Sequence, residues 1–409
     1  MALSFFGVID NFPMPELLKH WDANWYSSIA FGGYNYIPGD YSNVVFFPLF
    51  PYLWRYSFIG PLGISLLNGL FTLTGLFFIQ KTIKFSFVEL LLFLSIPSLF
   101  FCYVPFSEGL FFLCGSLIVY GLKNNFRIAL LGVCLACLTR SSSFVFIPAF
   151  IILFVLNFRG SSVREELKKL ALLMSVALAA TFMAQLLIFF ETGEFFAMFK
   201  VQEIWNRTLS VPQLPFTTWG GAKLLWLDGL ALLVGVMTTL LLIVFLFRKF
   251  MQTSKTVPSH YLFSVAYLCL VSIVAILFSG LDDTGVTTLM SLNRYVFATP
   301  FFTVLLAHNY RHQGLTKKSV RLFFVSAIIA LFLLGICGEI PYLYVYFSYY
   351  FSLITSSLLY FLLMLSYASL YLLFQHKMLR SFIFSGLYLI NLLLQIILFT
   401  NYLSGNWVG

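Results

Sequence analysis

The run Lys223-Leu224-Leu225-Trp226-Leu227-Asp228-Gly229-Leu230-Ala231-Leu232-Leu233-Val234-Gly235-Val236-Met237-Thr238-Thr239-Leu240-Leu241-Leu242-Ile243-Val244-Phe245-Leu246-Phe247 opens on one lysine, carries one acid near its start and has no other charge until Arg248-Lys249 closes it. A helix of that length crosses a hydrocarbon layer about 30 Å thick. Comparable apolar runs fall at 58–80, 85–103, 106–122, 170–190, 261–279, 295–309, 321–338, 352–375 and 381–402. The chain therefore reads as an all-α polytopic membrane protein, one integral-membrane domain over 1–409, with about 10–12 membrane helices. A soluble fold is excluded by 60% hydrophobic and 10% charged residues and a mean hydropathy of +0.94. The net charge of +9 sits in short clusters between apolar runs, a pattern that orients helices in a bilayer and gives no footprint for nucleic acid.

Those clusters are Lys81/Lys84, Lys123/Arg127, Arg159/Arg164/Lys168/Lys169, Arg248/Lys249/Lys255, Arg311/Lys317/Lys318/Arg321 and Lys377/Arg380, and the positive-inside rule makes them cytoplasmic. Segment 128–157 must then enter and return as two short helices flanking Thr139-Arg140-Ser141-Ser142-Ser143, since a single span would invert every later loop. On this map Asp10, Glu16, Asp22, Asp40, Glu191, Glu194, Glu203, Asp228, Asp282, Asp283 and Glu339 face the exterior or a lumen. Loops 10–57, 191–222 and 280–294 form the active face. The short run Ala2 to Ile9 lacks the length of a span and the pattern of a signal peptide, so it reads as the end of a missing helix or as an unassisted translocated tail.

Asp22 stands in His20-Trp21-Asp22-Ala23-Asn24-Trp25-Tyr26, an acid among interfacial rings, where a proton acceptor for surface chemistry would be kept. The alternative is a solvated loop aspartate between Trp anchors. Apolar spacing over 16–31 suggests a helix lying in the interface and ended by Gly32-Gly33. Arg140 lies about 16 Å along its short helix, near mid-bilayer, and needs a partner there; it is a functional cation, or the structural partner of Glu108, or the snorkelled end of a short helix. Glu108 itself is explained by Ser107 capping and an acid in the first helical turn. Gln202 and Trp205 combine hydrogen bonding with a stacking surface suited to sugar, or simply line an interfacial helix. Arg294, beside Tyr295 at a membrane re-entry, suits a phosphate headgroup or serves as an anchor. Asp40 is a second acid in the first loop. The six cysteines lie in apolar runs as packing residues, the lone Cys134/Cys137 pair included. No phosphate-binding loop, dinucleotide fingerprint, HExxH or nucleophile elbow occurs, and no metal is required.

Read in order, His20-Trp21-Asp22-Ala23, Ala30-Phe31-Gly32-Gly33-Tyr34, Phe46-Phe47-Pro48-Leu49-Phe50-Pro51, Ile96-Pro97-Ser98, Phe106-Ser107-Glu108-Gly109-Leu110-Phe111 and Leu138-Thr139-Arg140-Ser141-Ser142 resemble the signatures of the PIG-V mannosyltransferases. Arg294-Tyr295 to Pro300 is a looser likeness. The wording Ser42-Asn43-Val44-Val45-Phe46-Phe47-Pro48 is closer to bacterial members. Eukaryotic members add the second mannose of glycosylphosphatidylinositol precursors at the lumenal face of the endoplasmic reticulum. The resemblance implies a GT-C glycosyltransferase architecture, a polyprenyl (dolichyl) phosphate sugar donor, a lipid-linked or other membrane acceptor, and inversion at the anomeric carbon. It implies Asp22 as the catalytic base; together with the reading of the residues it places Arg294, with Arg140 or Lys200, at the donor phosphate, and His20, Trp21, Tyr34, Asp40, Glu108, Gln202, Trp205 and Tyr295 are the expected substrate-binding residues. The expected setting is a bacterial inner membrane with an exterior-facing site, or the endoplasmic reticulum membrane with a lumenal one. The alternative is a multi-pass lipid or polysaccharide transporter, for which Arg140 is the pointer.

Overall fold

The helix Pro61–Ile83 wears its polarity inside out. In this computed structural model its Ser65, Asn68 and Thr72 are buried, while Leu62, Leu66, Leu70, Leu73 and Phe77 face outward. Water would favour the reverse; lipid favours this arrangement. The structure describes residues 14–158, 163–220, 223–251, 257–283, 285–311, 317–334, 354–372 and 376–409. The readings for residues 1–9, Asp10, Arg159, Lys255, Cys337 and Glu339 lie outside the described residues.

In chain order, a 3-10 turn at Glu16–Leu18 leads to α1 (Asp22–Gly32), and a second at Asn43–Val45 leads to α2 (Leu49–Ser57). The bundle proper begins with α3 (Pro61–Ile83) and α4 (Phe87–Leu94), followed by a 3-10 turn at Pro97–Cys102. It continues with α5 (Glu108–Asn124), α6 (Phe126–Thr139), α7 (Ser143–Asn157), α8 (Val163–Thr192) and the short α9 (Ala197–Lys200). The second half holds α10 (Leu225–Phe250), α11 (Ser259–Leu277), α12 (Leu292–Phe297), α13 (Pro300–Arg311), α14 (Lys317–Leu333), α15 (Ile354–Leu372) and α16 (Lys377–Leu403). Among the described residues no strand forms; only isolated bridges join Thr217 to Thr288 and Leu281 to Thr287.

The protein is a helical, multi-pass membrane protein, but its expected spans are not all intact. Five helices among the described residues are long and apolar enough to cross a bilayer: α3, α8, α10, α11 and Met378–Leu403 of α16. The expected span 85–103 breaks at Ile96-Pro97, and 295–309 breaks before Pro300. Each proline starts a new helical stretch, where its missing N–H removes no helical bond, and disfavours helix in the residue before it. The segment 128–157 does form two short helices, α6 and α7, around Arg140. The 14 residues of α6 rise about 21 Å, less than a full hydrocarbon layer.

Helix α5 is central: α3, α6, α11 and α13 all pack on it. Small residues permit the approach, for a side chain at Gly132 would meet the Cys114 carbonyl, and one at Gly109 would meet Asn68. Helix α5 runs from Glu108 to Lys123, and α6 returns to Arg140, so the bundle has two chemically distinct ends. One gathers Asp22, Glu108, Arg140 and Arg294. At the other, Lys123 donates to the Thr82 carbonyl, Lys249 to the Phe158 carbonyl, and Asn157 to Ser259. Cysteines placed at the exposed positions Asn35 and Arg127 should therefore react with a membrane-impermeant thiol reagent from opposite sides of sealed vesicles; labelling of both from one side would overturn this polarity.

Candidate functional site

Asp22 owes its place to a break in the chain. The single helix expected over 16–31 is split, because Trp21 adopts φ 53°, ψ −122°, and α1 starts afresh with Asp22 in its first turn. A positive φ is costly for an aromatic residue and persists only where the surroundings enforce it. Here they do. The Trp21 indole donates to the Asn406 carbonyl at 3.2 Å and stands edge-on to Trp407 at 4.9 Å. His20 meets the Tyr402 ring edge-on at 5.9 Å, and Tyr402 donates to the Leu18 carbonyl at 2.7 Å. At its other end α1 stops as expected at Gly33, φ 84°, whose N–H bonds the Ile29 carbonyl.

Glu108 is positioned by an unwound stretch. Between the 3-10 turn at Pro97–Cys102 and α5 the Val104 carbonyl accepts the Phe106 N–H at 2.7 Å, and the Asn68 amide of α3 donates to the Val104 and Phe106 carbonyls, both at 2.7 Å. Ser107 does not cap α5 as expected. Its hydroxyl instead accepts the Tyr26 phenol of α1 at 2.8 Å, tying α1 to the start of α5. Burial pushes the Tyr26 phenol well above its ordinary value, so it remains a donor.

Four charges then meet. Glu108 Oε1 accepts Arg140 Nη1 at 2.9 Å, Arg294 Nε at 3.0 Å and Arg294 Nη2 at 2.6 Å. Arg294 Nη2 also donates to Asp22 Oδ2 at 2.7 Å. Two carboxylates balance two guanidiniums. Side-chain exposure grades outward, from 1% at Glu108 and 4% at Arg294 to 18% at Arg140 and 22% at Asp22, so Asp22 is the carboxylate that solvent or substrate can reach, with Arg140 exposed to a similar degree. Rings enclose the cations: Phe101 and Phe106 lie 4.9 and 4.8 Å from the Arg294 guanidinium, and Phe111 and Tyr295 lie 5.6 and 5.0 Å from that of Arg140. Glu108 Oε2 is buried and has no hydrogen-bond partner among the described residues.

Arg294 is not the boundary anchor that its sequence suggests. It is buried, and α12 is held from behind. Asp228 accepts the backbone N–H and the side-chain amide of Asn293, both at 2.8 Å, together with the Thr218 hydroxyl. Ser98 donates to Asn293 Oδ1 at 2.9 Å. Asp228, expected to face the exterior, is 1% exposed and anchors α12 from inside the bundle.

The remaining predicted residues divide. Tyr295 and Glu108 join the cluster, and His20 and Trp21 frame Asp22. Tyr34 is a buried brace whose hydroxyl donates to the Phe46 carbonyl and whose N–H bonds Glu191; Asp40 is exposed and accepts the Tyr41 N–H. Lys200 pairs with Glu194 at 2.8 Å on the surface, which lowers the Glu194 carboxyl and raises the Lys200 ammonium through their hydrogen bond. Gln202 bonds the Met198 carbonyl, so Lys200 and Gln202 contact neighbours outside the four charges. Trp205 joins Trp25, Tyr41 and Phe46 in an aromatic cluster beside α1. Sequence reasoning did not single out Tyr26, Asn68, Asn293, Glu191 or the 402–407 segment for the site, because each works through a partner distant in sequence. Among the described residues no three His, Cys, Asp or Glu side chains gather as a metal-ligand set.

Compared with known proteins, the chain matches no family model, no curated protein and no solved structure. The resemblance to PIG-V mannosyltransferases accordingly rests on the quoted motifs.

Removing Glu108's charge leaves two guanidiniums with Asp22 as their one carboxylate. Glu108→Gln should cost about 3–5 kcal/mol of stability, and Arg140→Gln, at a more exposed position, less. Unfolding of the detergent-solubilised protein measures both; equal, small losses would mean that the cluster does not hold the fold.

Proposed function

We propose that this chain is a membrane glycosyltransferase of GT-C type, transferring a hexose, mannose on the motif resemblance, from a polyprenyl phosphate to a hydroxyl of a membrane acceptor at the non-cytoplasmic face. The observation that carries this reading is the pairing of a partly exposed carboxylate at a helix start, Asp22, with a buried guanidinium, Arg294, itself fixed by Glu108. In the proposed step the acceptor oxygen attacks the anomeric carbon and its proton passes to Asp22. The anomeric carbon–oxygen bond to phosphate breaks, and its electron pair leaves with the phosphate. Protonation of Asp22 discharges one side of its pair with Arg294. The Nη2 donor is then released toward the leaving phosphate just as negative charge develops there. Arg294 thus serves the phosphate late, because in the resting site both its carboxylate partners are in place. Arg140 keeps Glu108 occupied meanwhile.

A second reading, transport of a lipid or polysaccharide, draws on broken helices at Ile96-Pro97, Arg140 and Thr299-Pro300 around a buried ion-pair network.

Asp22→Asn preserves shape but accepts no proton, so release of polyprenyl phosphate from polyprenyl-phosphate mannose, in membranes supplying the native acceptor, should fall by about 10²–10⁴ with folding retained. Undiminished release by the folded variant would remove Asp22 from the chemistry. Wild-type protein that moves lipid-linked sugar across vesicles without consuming donor would establish the transport reading instead.

A further inference from the structure

At the basic end of the bundle, far from Asp22, a cavity of about 520 Å³ opens between α5, α7, α8, α10 and α11. Among the described residues its polar rim carries four cations, Lys123, Lys169, Arg248 and Lys249, against one carboxylate, Glu166. Lys169 pairs with Glu166 at 2.6 Å. Lys123 and Lys249 are tethered differently, to the backbone carbonyls of Thr82 and Phe158. A carbonyl dipole fixes an ammonium in place without cancelling its charge, so the rim is positioned and electropositive. Asn124, Asn125 and Asn157 add amides to the same rim. Inward from it the wall turns apolar, with Phe150, Leu153, Leu173, Phe245 and Leu262.

A cationic rim over an apolar wall at the end of membrane helices has the two-part chemistry of an amphiphile. We propose that this cavity binds an anionic phospholipid of the inner leaflet, its phosphate among Lys123, Arg248 and Lys249 and the first part of an acyl chain against Phe150, Leu153 and Phe245. The positive-inside orientation puts this end at the cytoplasmic headgroup level, where anionic lipids concentrate and each nearby Lys or Arg strengthens their attraction. Charge complementarity selects the lipid: a zwitterionic headgroup brings its own cation into a rim already rich in them. This site is separate from the four-charge cluster and stands whether or not the proposed transfer reaction is correct.

The test is native mass spectrometry of the full chain released from nanodiscs of equal phosphatidylglycerol and phosphatidylcholine content. Wild-type protein should retain phosphatidylglycerol over phosphatidylcholine by about tenfold, and Lys123→Gln/Lys249→Gln should lose that preference. Lys123→Arg/Lys249→Arg should keep it, which separates loss of charge from loss of fold; Arg248→Gln serves as an independent variant should the glutamine pair not fold. Equal retention of the two lipids by wild type, or unchanged preference in the folded glutamine variants, would overturn the proposal. So would displacement of the lipid by millimolar inorganic phosphate, which would assign the rim to a soluble anion.

Discussion

One carboxylate oxygen, Oε1 of Glu108, receives three N–H groups from two arginines carried by different parts of the chain. In a low-dielectric bundle neither guanidinium is tolerable alone, so the requirement to match these charges fixes where their carriers stand. Helix α5, the bend between α6 and α7, and α12 must converge, and α1 follows because Asp22 completes the balance through Arg294. The same requirement orders the cluster by depth. The shared carboxylate is innermost, and the acid left at the rim has one guanidinium partner and a path outward.

Convergence demands that helices stop inside the bundle, which is expensive unless the freed backbone groups are satisfied. One amide side chain and one buried acid answer that demand. Asn68 takes up the Val104 and Phe106 carbonyls ahead of Glu108, while Asp228 takes the Asn293 N–H ahead of Arg294. Glu108 and Arg294 therefore each follow closely on a side-chain-stitched break, the first stitched by Asn68 on the polar inward face of α3.

Much of this was legible in the order of residues, and for identifiable reasons. Hydropathy locates long helices because the bilayer sets their length, and the charge parity of the loops correctly demanded a helix pair around Arg140. The pairing of Arg140 with Glu108 was one of the readings left open by the sequence, since a cation in apolar sequence has few acids to choose from. What local pattern could not convey was that Arg294 reaches the same carboxylate, that Asp228 points inward, or that the helix over 16–31 breaks at Trp21. Those facts are set by residues between 65 and 385 positions away, beyond any periodicity. Pro97 and Pro300 did carry a local signal, which an average over a hydropathy window erases.

The clasp between Trp21 and the Asn406-Trp407 segment also has a meaning in time. Trp21 and Asn406 lie 385 positions apart, so the backbone turn that aims Asp22 acquires these partners only after the whole stretch between them has been made. Until Asn406 and Trp407 are made, the acid is present without this part of its frame. Framing of Asp22 is thereby coupled to synthesis of the Asn406-Trp407 segment.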